Sequence, residues 1–235
     1  MLAIYKKELR NYFTGVIGYV YLVIFFALSA ILFSYTTLFS MSASVTEYFT
    51  FMLIFSAIIL PLLTMKSFSE ERKTKTEQLL MTAPVSIPAV VLGKFLAAYT
   101  MFAGALIPTS LYFLVLYPYA SLKVAVLFGN MLALLLVGAA FIAIGIFVSA
   151  LTENQLSAAV GSIAIILGFL GVSILSSLIP NTYFIRFVLD SLSIFTRFQS
   201  FVNGYFDIAS IVYYLSVTAM FVYFTIRVYD RRRFG

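Results

Sequence analysis

The chain's charges divide it into long stretches that carry none. Six charge-free windows (11–46, 48–65, 95–122, 124–152, 154–185 and 208–226) make up most of its 235 residues, and the shortest holds 18. A helix needs about 20 mostly apolar residues to cross a hydrocarbon core of about 30 Å. Lipid offers backbone groups no hydrogen-bond partners, so a span is either a helix or a strand of a closed barrel. Period-two alternation is absent, and the windows predict six transmembrane helices. Composition agrees: 63% of residues are hydrophobic and 10% charged, against roughly 45–50% and 25% in soluble domains, and mean hydropathy is +1.06. The expected fold is an all-α integral membrane protein, a single transmembrane domain over residues 1–235.

Lys6, Lys7 and Arg10 ahead of an apolar run have the look of a signal peptide. A signal core is only about 7–15 residues long, whereas no charge falls from Asn11 through Thr46, so this segment is expected to remain as the first span. With the N-terminus inside, Lys6, Lys7, Arg10, Lys66, Arg72, Lys73, Lys75, Lys94, Arg227, Arg231, Arg232 and Arg233 face the cytoplasm. Only Lys123, Arg186 and Arg197 fall outside, a split of twelve to three that satisfies the positive-inside rule. The expectation is a multi-pass protein of the cell membrane with both ends of the chain cytoplasmic. The net charge of +6 is then an orientation signal, and no nucleic-acid partner is expected. Membrane lipid is. Trp is absent, which leaves Tyr12, Tyr19, Tyr48, Tyr117, Tyr119, Tyr183 and Tyr205 near span ends as candidate interfacial aromatics.

Three pieces lie outside the spans. In residues 1–14, Leu2, Tyr5, Leu9, Tyr12 and Phe13 recur at helical spacing, with Lys6, Lys7, Glu8 and Arg10 on the remaining arc. This pattern predicts an amphipathic helix in the membrane interface, bent away from the first span at Thr14-Gly15; a plain extension of that span is the alternative. Residues 66–94 form the main cytoplasmic connection, and the segment 69–80, "SEERKTKTEQLL", carries six charges in twelve residues. Ser69 reads as an N-cap, with Glu70 and Glu71 in the first turn, Glu71/Lys75 and Lys73/Glu77 spaced for pairing along a helix, and an end at Thr82-Ala83-Pro84. Ser86 then caps the third span, with Pro88 in its first turn. On the outer side, residues 180–207 are too polar to span and too apolar to float free, which suits short helices dipping into the outer leaflet, with Asp207 capping the sixth span.

The residue types exclude much chemistry. Without Cys or His there are no thiolate sites, no disulfides, and none of the usual metal ligands or general bases. Every ionisable residue lies outside the core of the windows, which argues against an ion-coupled carrier or an intramembrane protease. Gly93-Lys94 is the only Gly-Lys pair, and Pro88 stands where a P-loop needs its first Gly, so the chain is not expected to be an enzyme or to bind a cofactor. Ser157/Gly161, Ala164/Gly168 and Gly145/Ser149 are small-residue pairs at helix-packing spacing, and close packing is the preferred reading over a substrate role.

The stretch "FSEERKTKTEQLLMTAPVSIPAVVLGK" resembles the connection between spans two and three of type-2 ABC transporter permeases, through Glu70, Glu71, Arg72, Thr76, Leu79, Leu80, Pro84, Val85, Gly93 and Lys94. Lys75 stands where that family usually has Gly. "SALTENQLSAAVGS" resembles the family's turn between spans four and five, through Thr152, Asn154, Gln155 and Ala158 beside Glu153. "FQSFVNGYFDIASIVYY" resembles its entry to the last span, through Phe198, Phe201, Gly204 and Asp207. The closest flavour is the permease group of gliding-motility and copper-enzyme-maturation (NosY-like) systems.

The resemblance implies a half-transporter. Two permease chains, identical or homologous, would bind ABC ATPase subunits that carry ATP and Mg. The 69–80 helix would dock on the ATPase, and the aromatic segment before the last span would form re-entrant outer helices. Glu70, Glu71 and Arg72 are read as partner contacts in preference to a solvated face; Leu79 and Leu80 are open between docking and packing under span two. The lead expectation is the permease of an ATP-driven exporter. The alternative is a membrane scaffold or sensor whose ATPase partner drives another process.

Overall fold

The computed structural model describes residues 1–40, 45–78, 85–116, 124–178 and 189–234, and these are all-helical, with no strand among them. The helices are α1 (Leu2–Thr14), α2 (Val16–Phe33, continued by a π-helical turn Ser34–Phe39), α3 (Val45–Thr64), α4 (Lys66–Lys73), α5 (Ile87–Thr109), α6 (Leu111–Leu116), α7 (Val124–Leu151), α8 (Gln155–Leu178), α9 (Ile194–Val202) and α10 (Ile208–Phe234). Among the described residues, six helical stretches are long and apolar enough to cross a membrane: Val16–Phe39, Val45–Lys73, Ile87–Phe113, Val124–Leu151, Gln155–Ser176 and Ile208–Arg233. The six-span expectation holds, and the chain is a multi-pass membrane protein.

The fourth span, α7, is the centre of the bundle. Of its most apolar window 72% is buried inside the protein, against 28%, 22% and 28% for the first, fifth and sixth spans. It packs against α3, α5, α8 and α10 and against the short helices α4 and α9. Small residues allow this. A Cβ on Gly145 would stand 2.1 Å from Thr64 Oγ1, and one on Gly138 would stand 2.0 Å from the Phe102 ring, so α3 and α5 approach α7 more closely than any larger residue permits. Of the three small-residue pairs, Gly145/Ser149 thus packs between helices. Ala164 and Gly168 face outward instead, and a Cβ on Gly168 would meet nothing within 4 Å.

Polar side chains add links within the bundle. Ser29 on α2 and Tyr48 on α3, both fully buried, share a hydrogen bond of 2.7 Å. Tyr48 is therefore an interhelical strut rather than an interfacial aromatic: an edge-on cluster with Phe33, Phe49 and Phe113 encloses its ring. Tyr117, Tyr119 and Tyr183 lie outside the described residues.

At the chain's start, Gly15 takes an extended backbone (ψ 155°) that separates α1 from α2. The side of α1 that meets the bundle carries Ile4, Leu9 and Tyr12, whereas Leu2 is 73% exposed. Glu8 also lies on the packed side, not on the solvated arc with the lysines, because a buried cation waits for it there.

Candidate functional site

α3 does not stop where the charges begin. Pro61 removes one helical donor, and the chain turns at Met65 and continues as α4 through Lys73. Ser67, Phe68 and Ser69 form its buried face. Ser69 is consequently mid-helix and caps nothing. Its hydroxyl bonds back to the Met65 carbonyl, and its backbone N–H, with that of Phe68, donates to Ser149 Oγ at 3.1 and 3.0 Å. Ser149 in turn donates to the Met65 carbonyl at 3.1 Å, so one hydroxyl on α7 holds the α3–α4 junction. Arg72 and Lys73 occupy the last turn of α4, where the helix dipole favours cations.

The helix ends at Thr74 because Lys75 adopts φ +58°, the left-handed conformation that closes a helix and that Gly occupies without strain. Lys75 N–H donates to the Arg72 carbonyl at 3.1 Å. Thr76 Oγ1 reaches the Glu71 carbonyl at 3.3 Å, and Thr74 Oγ1 the Glu70 carbonyl at 2.8 Å. Hydroxyls thus complete the cap around a residue poorly suited to it. Since α4 stops here, Lys75 and Glu77 are no longer on it, and the pairs Glu71/Lys75 and Lys73/Glu77 expected along one helix do not form.

The acids instead reach other elements. Glu71 Oε1 lies 2.8 Å from Lys94 Nζ on α5, and Glu8 Oε1 on α1 lies 3.3 Å from the same nitrogen. Lys94 is only 3% exposed. It also donates to the Ser67 carbonyl at 2.6 Å and stands 4.9 Å from the centre of the Phe68 ring. Phe68 packs on Tyr229 of α10 at 4.6 Å. Lys94 stands just ahead of the charge-free window 95–122 yet lies inside the helical stretch Ile87–Phe113, so a charge falls within a helix long enough to span although it stays out of the core of the window. A window that closes at the first charge misses a lysine whose two carboxylates and carbonyl replace its water.

Arg72 donates to the Leu151 carbonyl at 2.8 Å and pairs with Glu153 at 2.9 Å, which ties α4 to the turn between α7 and α8. Glu77 pairs with Arg232 of α10 at 3.2 Å, and Arg233 donates to the Val85 carbonyl at 3.0 Å. Glu70 has only a loose contact with Lys66 at 3.9 Å. Lys73, Thr74, Lys75 and Thr76 form an exposed tip. Leu79, Leu80 and Pro84 lie outside the described residues. In the 152–155 turn, Asn154 Oδ1 accepts from Leu156 N–H at 3.0 Å and its carbonyl from Ala158 N–H, opening α8 at Gln155. Ser86 precedes α5 with an extended backbone and Pro88 in the first turn, though its side chain makes no capping bond.

The other set of candidate residues gathers at the far end of the bundle. Asp207 and Arg232 are separated by most of the 27 residues of α10, roughly 40 Å at 1.5 Å per residue. Ser193 caps α9, accepting from Thr196 N–H at 3.2 Å. Ile194, Phe198, Phe201 and Val202 bury one face of α9 against α7 and α8. Gly204, at φ +82°, closes α9 in a Schellman arrangement, its N–H bonding the Phe201 carbonyl at 2.9 Å and that of Tyr205 the Ser200 carbonyl at 3.1 Å. Asp207 starts α10, Oδ1 accepting from Ala209 N–H at 3.0 Å. The Ser210 hydroxyl, and then these backbone donors, hold its carboxyl below the usual aspartate range.

Sequence reasoning passed over Glu8, Lys94 and Arg232 as functional residues. The one available signal was the Gly-Lys pair at 93–94. A Cβ on Gly93 would stand 3.0 Å from Ile4, so this glycine admits α1 close enough for Glu8 to reach Lys94. A search of curated proteins finds no match. A family model described as "ABC-2 family transporter protein" matches residues 30–226.

Proposed function

Because the chain belongs to the ABC-2 transporter family, we propose that it is the membrane-spanning subunit of an ATP-driven exporter. It works beside a second copy or a homologous permease, with ABC ATPase subunits on separate chains that carry the ATP and Mg. The end of the bundle bearing α1, α4 and the C-terminal arginines faces the cytoplasm, following the twelve-to-three distribution of basic residues. The flavour of the sequence as a whole extends the reading to the gliding-motility and copper-enzyme-maturation (NosY-like) group.

One observation supports coupling through α4. Its charged residues are tied to three other elements, through Arg72–Glu153, Glu71–Lys94 and the Glu77–Arg232 pair just beyond it, while Lys73 to Thr76 remain exposed. A partner gripping that tip would move α4 together with α5, α10 and the α7–α8 turn. Glu71 and Arg72 then transmit force inside the chain, and Lys73 and Lys75 make the contact.

The test is co-purification with a candidate ABC ATPase subunit. Lys73→Glu with Lys75→Glu is expected to cut permease-dependent ATPase stimulation at least tenfold, with only the small drop in the chain's own unfolding midpoint that losing a cation at the end of α4 entails. Undiminished stimulation would sink the coupling claim. Reconstituted vesicles separate exporter from scaffold: ATP-dependent movement of lipid or solute supports the first, and ATPase binding without any movement supports the second.

A further inference from the structure

Between α1, the start of α2, the α3–α4 junction and α5 lies a cavity of about 910 Å³. Its lining joins two chemistries. The span ends contribute Val16, Ile17, Leu63 and Val90, whereas Lys7, Lys66 and Lys94 stand with Glu8, Glu70 and Glu71. Three cations thus balance three carboxylates, which suits a ligand carrying both signs over one with a net charge. Glu71 is the most specific element. Its Oε1 is held by Lys94, but its Oε2 is buried with no hydrogen-bond partner among the described residues. A buried carboxylate oxygen without a donor is costly, and a ligand N–H placed in the cavity removes that cost. Lys7 and Lys66, 62% and 37% exposed, also line the cavity, each in only a loose pair, with Glu8 at 4.0 Å and Glu70 at 3.9 Å, that a phosphate can replace. On α2, Val16, Val20 and Val23 follow one another along an exposed apolar face at 77%, 47% and 67%.

We propose that this cavity binds the headgroup of an ethanolamine phospholipid from the surrounding bilayer. The ammonium donates to Glu71 Oε2, the phosphate meets Lys7 and Lys66, and the acyl chains leave along the Val16–Val23 face. A choline headgroup has no N–H for Glu71, and a glycerol headgroup has no cation for it. The site stands whether or not the chain transports anything.

The full chain, purified in detergent, is titrated with phosphatidylethanolamine, phosphatidylcholine, phosphatidylglycerol and tail-less glycerophosphoethanolamine, with bound lipid read by native mass spectrometry and stability by the unfolding midpoint. Phosphatidylethanolamine is expected to bind saturably, at least tenfold more tightly than the other two lipids, and to raise the midpoint; the tail-less compound does neither. Glu71→Gln should abolish the preference. Asn11→Trp, on an exposed cavity-lining position of α1, should block binding with every charge in place, and it decides the matter if Glu71→Gln does not fold. Equal binding of the three lipids, a preference that survives Asn11→Trp, or equally tight binding of the tail-less compound would overturn the proposal.

Discussion

Lys75 shows how a single residue can satisfy a fold at a cost. Its φ of +58° is one that an L-residue with a Cβ adopts at an expense of about 1–2 kcal/mol and Gly adopts freely. The Thr74 and Thr76 hydroxyls compensate by satisfying the carbonyls that end α4. Lys75→Gly is therefore expected to raise the unfolding midpoint in detergent, by up to about 1 kcal/mol of stability after the greater freedom of the unfolded chain is counted. Lys75→Val, which adds branching at the same φ, should lower it. At the other end Asp207 makes the opposite kind of cap, with side chain and backbone in agreement. Its carboxyl is held below the usual range chiefly by Ser210, so the stabilisation is fully present above the ordinary aspartate pKa of about 3.9 and disappears as pH falls through the lower folded value. Asp207→Ala should cost about 1 kcal/mol at neutral pH, and the gap between the two proteins should close on acidification below about pH 4 when their midpoints are compared across a pH series.

Between elements, α4 is held by pairs that cross long stretches of sequence. Arg72 and Glu153 are the most accessible to experiment, since Glu153 is 67% exposed and a longer side chain has room there. Arg72→Glu and Glu153→Arg are each expected to destabilise, Arg72→Glu by more because it also loses the Leu151 carbonyl. The exchanged double variant should recover about 0.5–1 kcal/mol of interaction, the range for partly exposed pairs; additive losses in a double-mutant cycle would show that the contact carries no energy. The same helix marks where sequence reasoning ended. The six spans were legible because hydrophobicity is local and each window reports its own solvent. Asp207 was legible because a cap is read from its nearest neighbours, whereas Ser86 holds the position before α5 without making the capping bond expected of it. Ser69 was misread because Ser followed by two Glu has the form of an N-cap, while the apolar helix arriving from Pro61 simply runs through it. Glu71 was given Lys75 because pairing rules along a helix assume that the helix continues, and it stops at Lys73. Its true partner, Lys94, becomes visible only once α5, with α1 packed on it, brings that lysine to α4.

At the scale of the whole molecule, the bundle has two chemically different ends. One collects α1, α4, the α7–α8 turn and the C-terminal arginines in a network of ion pairs. The other is built from aromatic packing around α9, with Phe198 and Phe201 sealed against α7 and α8. On the proposed reading, six spans put both ends of the chain on one side of the membrane, and the surplus of basic residues argues for the cytoplasmic side. Absence of cysteine makes this directly testable, since any thiol introduced is the only one in the protein. Tyr205 is 72% exposed at the α9 end, and Lys75 is exposed at the tip beyond α4. Tyr205→Cys is expected to react with a membrane-impermeant maleimide on intact cells. Lys75→Cys should react only after permeabilisation if the α4 tip is cytoplasmic, as the proposed orientation requires. Gly235→Cys, at the end of the chain that follows Arg231, Arg232 and Arg233, should behave like Lys75→Cys. The reverse pattern would invert the molecule, turning the α4 tip away from any cytoplasmic ATPase and removing the coupling reading with it. Labelling at both ends in intact cells would mean that the charge bias fails to orient the chain.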